Sequence, residues 1–334
     1  MDKNDRLSLK NQALRCLANA SYSPKKLILI HIGAVLILSL ILALLDHLLE
    51  QQIGSTGGLS GIGSRSILVT IQSVLRLAQT VLLPFWQMGY LYVTMKLARE
   101  EAFSPWDLCE GFRRFGPILR LNLLQSVLLI GIGIVGSNIA STIFFVTPFA
   151  VPLLEALDPL MTDPVIMNDP AAMQEALEAV TWETVAPLLI IGAIVIIGIS
   201  IPVLYHYRLA SYFLMDSDKQ GAFASMRSSR KLMRYLCIDM FKLDVSFWWF
   251  YVLEVLTAVV CYLDVILTWL GVALPFDPTV AYFLFFALYL VSQLALYWWR
   301  KNEVEVTYAC AYEFLRSNHD PKPQPKPQDQ PWVY

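Results

Sequence analysis

Charge is scarce in this chain. Only 16% of its 334 residues are Asp, Glu, Lys or Arg, where about 25% is usual for a globular protein, while apolar residues reach 56% before glycine is counted. Such a shortage arises from long uncharged stretches, which excludes an ordinary soluble globule and predicts an all-α fold, a polytopic membrane helix bundle. Neither sign of charge is in excess: 25 Lys and Arg face 27 Asp and Glu, for a net charge of −2. Nothing there attracts nucleic acid, which is excluded as a partner. Cysteine is sparse, and Cys16, Cys109, Cys237, Cys261 and Cys310 stand singly with no Cys-x-x-Cys pair. Neither a disulfide framework nor a zinc site follows, and the five read as small buried hydrophobes. Also missing are a Gly-x-Ser-x-Gly elbow, a His-Glu-x-x-His pair and a Gly-Lys-Ser/Thr step after the glycine-rich Gly54–Gly63 loop. Without them no nucleophile is paired with a base and no phosphate cradle is built. The chain is expected to be no enzyme, to hold no metal and to need no cofactor.

What is present is a set of stretches long enough to cross a bilayer, each about 20 mainly apolar residues. Six are expected, at about 27–45, 67–97, 118–146, 185–207, 247–270 and 279–299, within a single membrane domain over residues 1–318. Ser23 and Pro24 open the first as cap and first helical residue. The remaining 319–334 alternate proline with Lys and Gln and read as a disordered tail.

Orientation follows from where the cations fall. All Lys and Arg but Arg65 and Arg76 lie within residues 1–26, 96–120, 208–245 and 300–334, and none lies between Leu121 and Tyr207, a stretch that holds seven acids from Glu155 to Glu183. Lys and Arg collect on the cytoplasmic side. Both termini are therefore expected in the cytoplasm of a bacterial inner membrane, with the acidic loop outside. Asp169 and Pro170 are expected to start an acidic outer helix.

Between spans the cytoplasmic segments carry helices of their own. Ser104-Pro105-Trp106-Asp107 opens one through Phe115, and Ser217 with Gln220 resembles a capping box for a second. Aligning Ala102-Phe103 with Ala222-Phe223 makes two related hairpins a reasonable reading. On a helical wheel over residues 218–242, Ala222, Met226, Ser229, Met233, Leu236 and Met240 share one arc and Arg227, Arg230, Lys231 and Arg234 the other. Those four cations are candidate contacts for anionic lipid headgroups of the cytoplasmic leaflet, or else they only enforce topology while the apolar arc packs on the spans.

Ionisable groups inside spans mark function or packing. Arg76 shares an arc of the second span with Gln72 and Gln79; Glu254 and Asp264 share an arc of the fifth. If the stripes meet, the guanidinium pairs with a carboxylate, as an interhelical clasp or as the wall of a polar path; the clasp is favoured. His31 and His206 read as structural. Asp46, His47 and Glu50 cluster at the outer end of the first span, too few for a metal site. Trp248-Trp249 and Trp298-Trp299 read as interface anchors.

The block Ser229-Arg230-Lys231-Leu232-Met233, followed by Phe241-Lys242-Leu243-Asp244-Val245-Ser246-Phe247 leading into a span, resembles a signature of the domain-of-unknown-function 975 family. Tyr207–Asp216 and the stretch from Gly89-Tyr90 to Gly111-Phe112 are similar to the same family; Tyr235 and Trp249 stand where its pattern has glycines. The resemblance implies a bacterial multi-pass integral membrane protein with no established activity, and transfers no site residue. The reading is then a non-enzymatic scaffold or membrane-complex subunit that touches anionic lipid and other membrane proteins. The alternative is a small-solute or lipid transporter using the Arg76, Glu254 and Asp264 interior.

Overall fold

Within hydrocarbon a backbone must satisfy its own hydrogen bonds, and a helix does so segment by segment. The computed structural model describes residues 2–55, 62–162, 181–217, 219–269 and 278–319; it is 88% helical, with no strand among the described residues. In chain order the helices are α1 (Lys3–Ala18), α2 (Pro24–Ser55), α3 (Ile62–Ala98), α4 (Glu110–Arg113), α5 (Phe115–Val146), α6 (Ala150–Thr162) and α7 (Trp182–Tyr207). They continue as α8 (Ala210–Asp216), α9 (Ala222–Met233), α10 (Cys237–Val245), α11 (Trp248–Cys261), α12 (Leu263–Trp269), α13 (Pro278–Leu296) and α14 (Asn302–His319). A 3₁₀ turn at Pro105–Cys109 precedes α4, and a π turn at Tyr297–Lys301 joins α13 to α14.

This is a membrane protein. Phe115–Val146, Trp182–Asp216 and Phe283–Asn318 are each long and apolar enough to cross a membrane, and α10 with α11, bent by 66°, brings the number to as many as four. The expected first and second spans fall within the longer helices α2 and α3, of 32 and 37 residues, which are not among those candidates in the described residues. Three expected elements have different bounds. The fifth span is not one helix, because α11 ends in a tight turn at Tyr262, whose N–H reaches Val259 O at 3.1 Å, before α12 starts. The sixth does not stop at the tryptophan pair, since the helix runs on through the π turn into α14. The helix over residues 218–242 is two helices, parted by a turn in which Leu236 N–H closes on Met233 O at 3.1 Å. The acidic outer helix after Asp169 and the tail past His319 lie outside the described residues, as does the centre of the Gly54–Gly63 loop.

The chain divides into two compact units, Met1–Leu121 with Leu209–Tyr334, and Asn122–Arg208. In the second, Phe144, Ala150 and Leu153 form a small buried cluster under Val185, Leu188 and Ile191, while Ile130, Ile134, Ile190, Ile194 and Ile197 face outward. Outward isoleucine is stable against lipid and costly against water. The first unit is built round α14. Its Val306, Ala309, Ala311 and Tyr312 are fully buried, and it packs against α1 and α3. Lys10 of α1 donates to Ser246 O at 2.9 Å and sits 3.9 Å over the Phe247 ring. Burial holds its pKa below the usual lysine range, and Glu303 offsets part of that shift.

α3 ends in a Schellman turn: Glu101 N–H bonds Lys96 O at 2.9 Å and Glu100 N–H bonds Leu97 O at 3.0 Å. That turn puts exposed Glu100 at φ 56°, a conformation costing an L-residue roughly 1–2 kcal/mol and glycine little. Glu100→Gly is therefore expected to stabilise the purified protein by about 1 kcal/mol in thermal unfolding, and a loss of stability would show that the Glu100 side chain is needed there.

Candidate functional site

Residues that sequence scatters along the chain meet at one end of the first unit. Asp216 closes α8 with its side chain only 4% exposed. It accepts from Arg99, Arg316 and, at 3.3 Å, the Tyr312 hydroxyl. Arg99 reaches on to Glu313 through Nε at 2.7 Å. Arg114 donates to the carbonyls of Leu214 and Met215 at 3.2 Å each, where a cation satisfies the last carbonyls of α8. Alongside, Lys96 pairs with Asp107 at 2.9 Å, and that carboxylate also accepts Ser104 N–H, as a capping box requires. The second expected capping box is absent. Gly221 is the cap residue of α9, and Gln220 spends its side chain on Ser228 Oγ at 2.9 Å. The two proposed hairpins are also unequal in detail, since Phe103 is buried and Phe223 exposed.

The four cations of the wheel reading are exposed. α9 buries Ala222, Ser225, Ser229, Leu232 and Met233 and exposes Arg227, Arg230 and Lys231, with Arg234 exposed just beyond its end. The apolar arc therefore faces protein, against α8 and α14. What the wheel did not show is the next helix. α10 buries Met240 and Leu243 but exposes Ile238, Phe241 and Val245, three and four residues apart on one face. Exposed Tyr235 stands between the two helices and Trp248 begins α11. Exposed cations on α9 are thus followed along the chain by exposed lipophilic side chains on α10, which meets α11 at a 66° bend. The tryptophan pairs make contacts of their own. Trp249 and Trp299 rings lie 6.0 Å apart, and the Arg300 guanidinium is 4.7 Å from the Trp299 ring and 5.6 Å from that of Trp249.

Of the interior polar residues, Glu254 and Thr257 meet α13 and the π turn. Tyr297 OH donates to Glu254 at 2.8 Å, and Gln293 Nε2 donates to Thr257 Oγ1 at 2.6 Å. Gln72 lies on α3, but the side chains of Arg76, Gln79 and Asp264 lie outside the described residues, as do those of Asp46, His47 and Glu50. His206 Nδ1 bonds Pro202 O at 2.7 Å, in keeping with a structural residue. No group of three or more metal-ligating side chains gathers among the described residues.

A family model described as "Protein of unknown function (DUF975)" matches residues 25–287. No curated protein and no solved structure matches the chain.

Proposed function

The chain belongs to the DUF975 family, whose description assigns no activity, and from the molecule's own surface we propose that it is a non-enzymatic scaffold or membrane-complex subunit that rests on anionic lipid. In this reading it is a multi-pass protein of a bacterial inner membrane, with six spans and both termini in the cytoplasm. The α9–α10 segment forms a basic collar on the cytoplasmic leaflet. One observation carries the lipid part: Arg227, Arg230, Lys231 and Arg234 are exposed on α9 and at its end, and Ile238, Phe241 and Val245 are exposed on α10, which follows it. Apolar side chains at that position enter the acyl boundary while the cations stay among phosphates. Each cation near an anionic surface contributes about 1 kcal/mol and is screened by salt. The distribution of Lys and Arg supports the orientation, because the collar residues belong to the cation-rich segments. The exposed apolar sides of α5 and α7 are surfaces that other membrane proteins or lipid chains would cover.

A second reading, small-solute or lipid transport, is favoured by the Glu254–Tyr297 and Thr257–Gln293 contacts, which put polar groups between helices instead of at the surface.

The lipid reading is tested on the full-length protein in a neutral detergent. Added phosphatidylglycerol is expected to raise its unfolding temperature more than equal phosphatidylcholine, because a ligand of the folded state stabilises it by mass action. The difference should shrink in high salt and vanish when Arg227, Arg230, Lys231 and Arg234 are all changed to Gln. Equal stabilisation by both lipids would leave the cations with a topological role only.

A further inference from the structure

A cavity of about 450 Å³ lies among α2, α3, α13 and the first turns of α14. Its size suits a small organic molecule. Ile32, Val35, Leu290 and Leu294 make most of an apolar wall, and a few polar side chains interrupt it.

Two of those polar side chains carry buried atoms without a hydrogen-bond partner, His31 Nδ1 and Gln293 Oε1. His31 is only 6% exposed. Its ring is held in place, stacked on Tyr90 at 4.4 Å and on Trp86 at 6.2 Å, while Trp86 Nε1 donates to the His31 carbonyl at 3.1 Å. Gln293 is held by its other end, because Nε2 donates to Thr257 and so fixes Oε1 as the remaining acceptor. Four of the other polar side chains of the wall are engaged. Tyr90 OH donates to Asn302 at 2.6 Å, Tyr297 OH donates to Glu254, and Lys301 pairs with Glu305 at 3.4 Å. Lys301 and Glu305 thus cancel in charge, and the wall residues include, besides Gln87 and Tyr289, one buried acceptor without a partner and one imidazole nitrogen that gives or takes a proton according to tautomer.

From this we infer that the cavity is a binding site for a small neutral amphiphile, whose hydroxyl or amide head donates to Gln293 Oε1 and meets His31 Nδ1 while its alkyl body lies against the aliphatic wall. Leaving a buried acceptor unfilled is unfavourable, which is what selects a hydrogen-bonding head over a bare alkyl chain. Lys301 and Glu305 pair with each other, so a net charge finds no unpaired counter-ion on the wall. The inference is independent of the lipid-surface reading, since none of Arg227, Arg230, Lys231 and Arg234 lines the cavity. The same head-and-chain chemistry occurs in free medium-chain alcohols and in neutral glycerolipids.

Photolabelling of the purified full-length protein separates these sources. Decanol and a monoacylglycerol, each with a diazirine on the alkyl chain, are compared with the matching hydroxyl-free alkane, and labelled peptides are mapped by mass spectrometry. Labels are expected on the Ile32–Leu36 and Leu290–Leu294 segments, with half-labelling by at least one hydroxyl probe at roughly tenfold lower concentration than by the alkane. Whichever probe shows that preference identifies the source. Gln293→Leu should abolish the preference, and Leu36→Trp, which fills the space without touching a polar group, should abolish the labelling. A single unfolding transition and unchanged helical circular dichroism identify folded variants, so that if one fails to fold the other still decides. Equal labelling by hydroxyl probes and alkane, a preference that survives Gln293→Leu, or labels that map elsewhere would each overturn the site.

Discussion

Adding one methyl group at position 89 is expected to cost the protein about 3 kcal/mol or more, the upper end of what overpacking does. Gly89 lies on α3 where that helix crosses the 3₁₀ turn before α4, and a Cβ built there falls 1.7 Å from the Leu108 carbonyl oxygen. Gly111 makes the reciprocal contact, its Cβ falling 1.9 Å from the Phe85 carbonyl oxygen. In both cases the obstacle is backbone, so no rotamer change relieves it and the segments must move apart. Moving them also disturbs the stacked rings of Phe85 and Phe115, whose centroids are 4.6 Å apart. Gly116→Ala is the control, because nothing lies within 4 Å of its Cβ and the change favours helix by up to about 1 kcal/mol. Thermal unfolding in detergent should place Gly89→Ala and Gly111→Ala far below the parent protein and Gly116→Ala level with it or above. If all three behaved alike, the close crossing of α3 would be wrong.

Asp216→Asn is expected to cost a similar amount, about 3–5 kcal/mol, because it strands the guanidinium groups that converge on a buried carboxylate. The distinctive result lies in the second step. Combining Asp216→Asn with Arg316→Met should recover part of the loss, since one unpaired cation is then removed. Arg99 keeps Glu313 as a partner in either variant. Glu313→Gln, at a side chain more open to solvent than Asp216, should cost less than half as much as Asp216→Asn. Strictly additive losses across the pair would mean that Asp216 and Arg316 are not coupled.

Neither of those features was legible in the chain read alone. Asp216 sits in sequence far from Arg99 and Arg316, and no periodicity links residues that meet only after three helices have packed. The glycines at 89 and 111 stood out only within a family resemblance, which the match over residues 25–287 bears out; nothing in their neighbours says that two backbones touch there. Apolar length and periodicity, by contrast, gave the all-α fold, because hydrocarbon leaves a helix as the cheapest way to satisfy the backbone. The wheel of α9 was legible for the same reason, with Arg227, Arg230 and Lys231 outward and Ser229 and Met233 inward. It misled at Tyr235, where a turn splits the helix and brings Ile238 and Phe241 to the surface. Composition also hid α14: its mixture of Glu, Tyr, Ala and Thr reads as the polar end of a span, yet Thr307, Cys310 and Tyr312 are the centre of the first unit. Glu254 was singled out as an interior carboxylate, and among the described residues it accepts from Tyr297 of the π turn after α13.

The proposed orientation, a multi-pass chain with its basic collar on the cytoplasmic leaflet, is tested directly by cysteine accessibility in intact cells. In a background with the five native cysteines replaced, a cysteine introduced as Lys231→Cys reports the collar and one introduced as Asp163→Cys reports the acidic segment. A membrane-impermeant thiol reagent is expected to label the Asp163→Cys protein in intact cells and to label the Lys231→Cys protein only after the membrane is opened. Labelling of Lys231→Cys in intact cells, with Asp163→Cys protected, would contradict it.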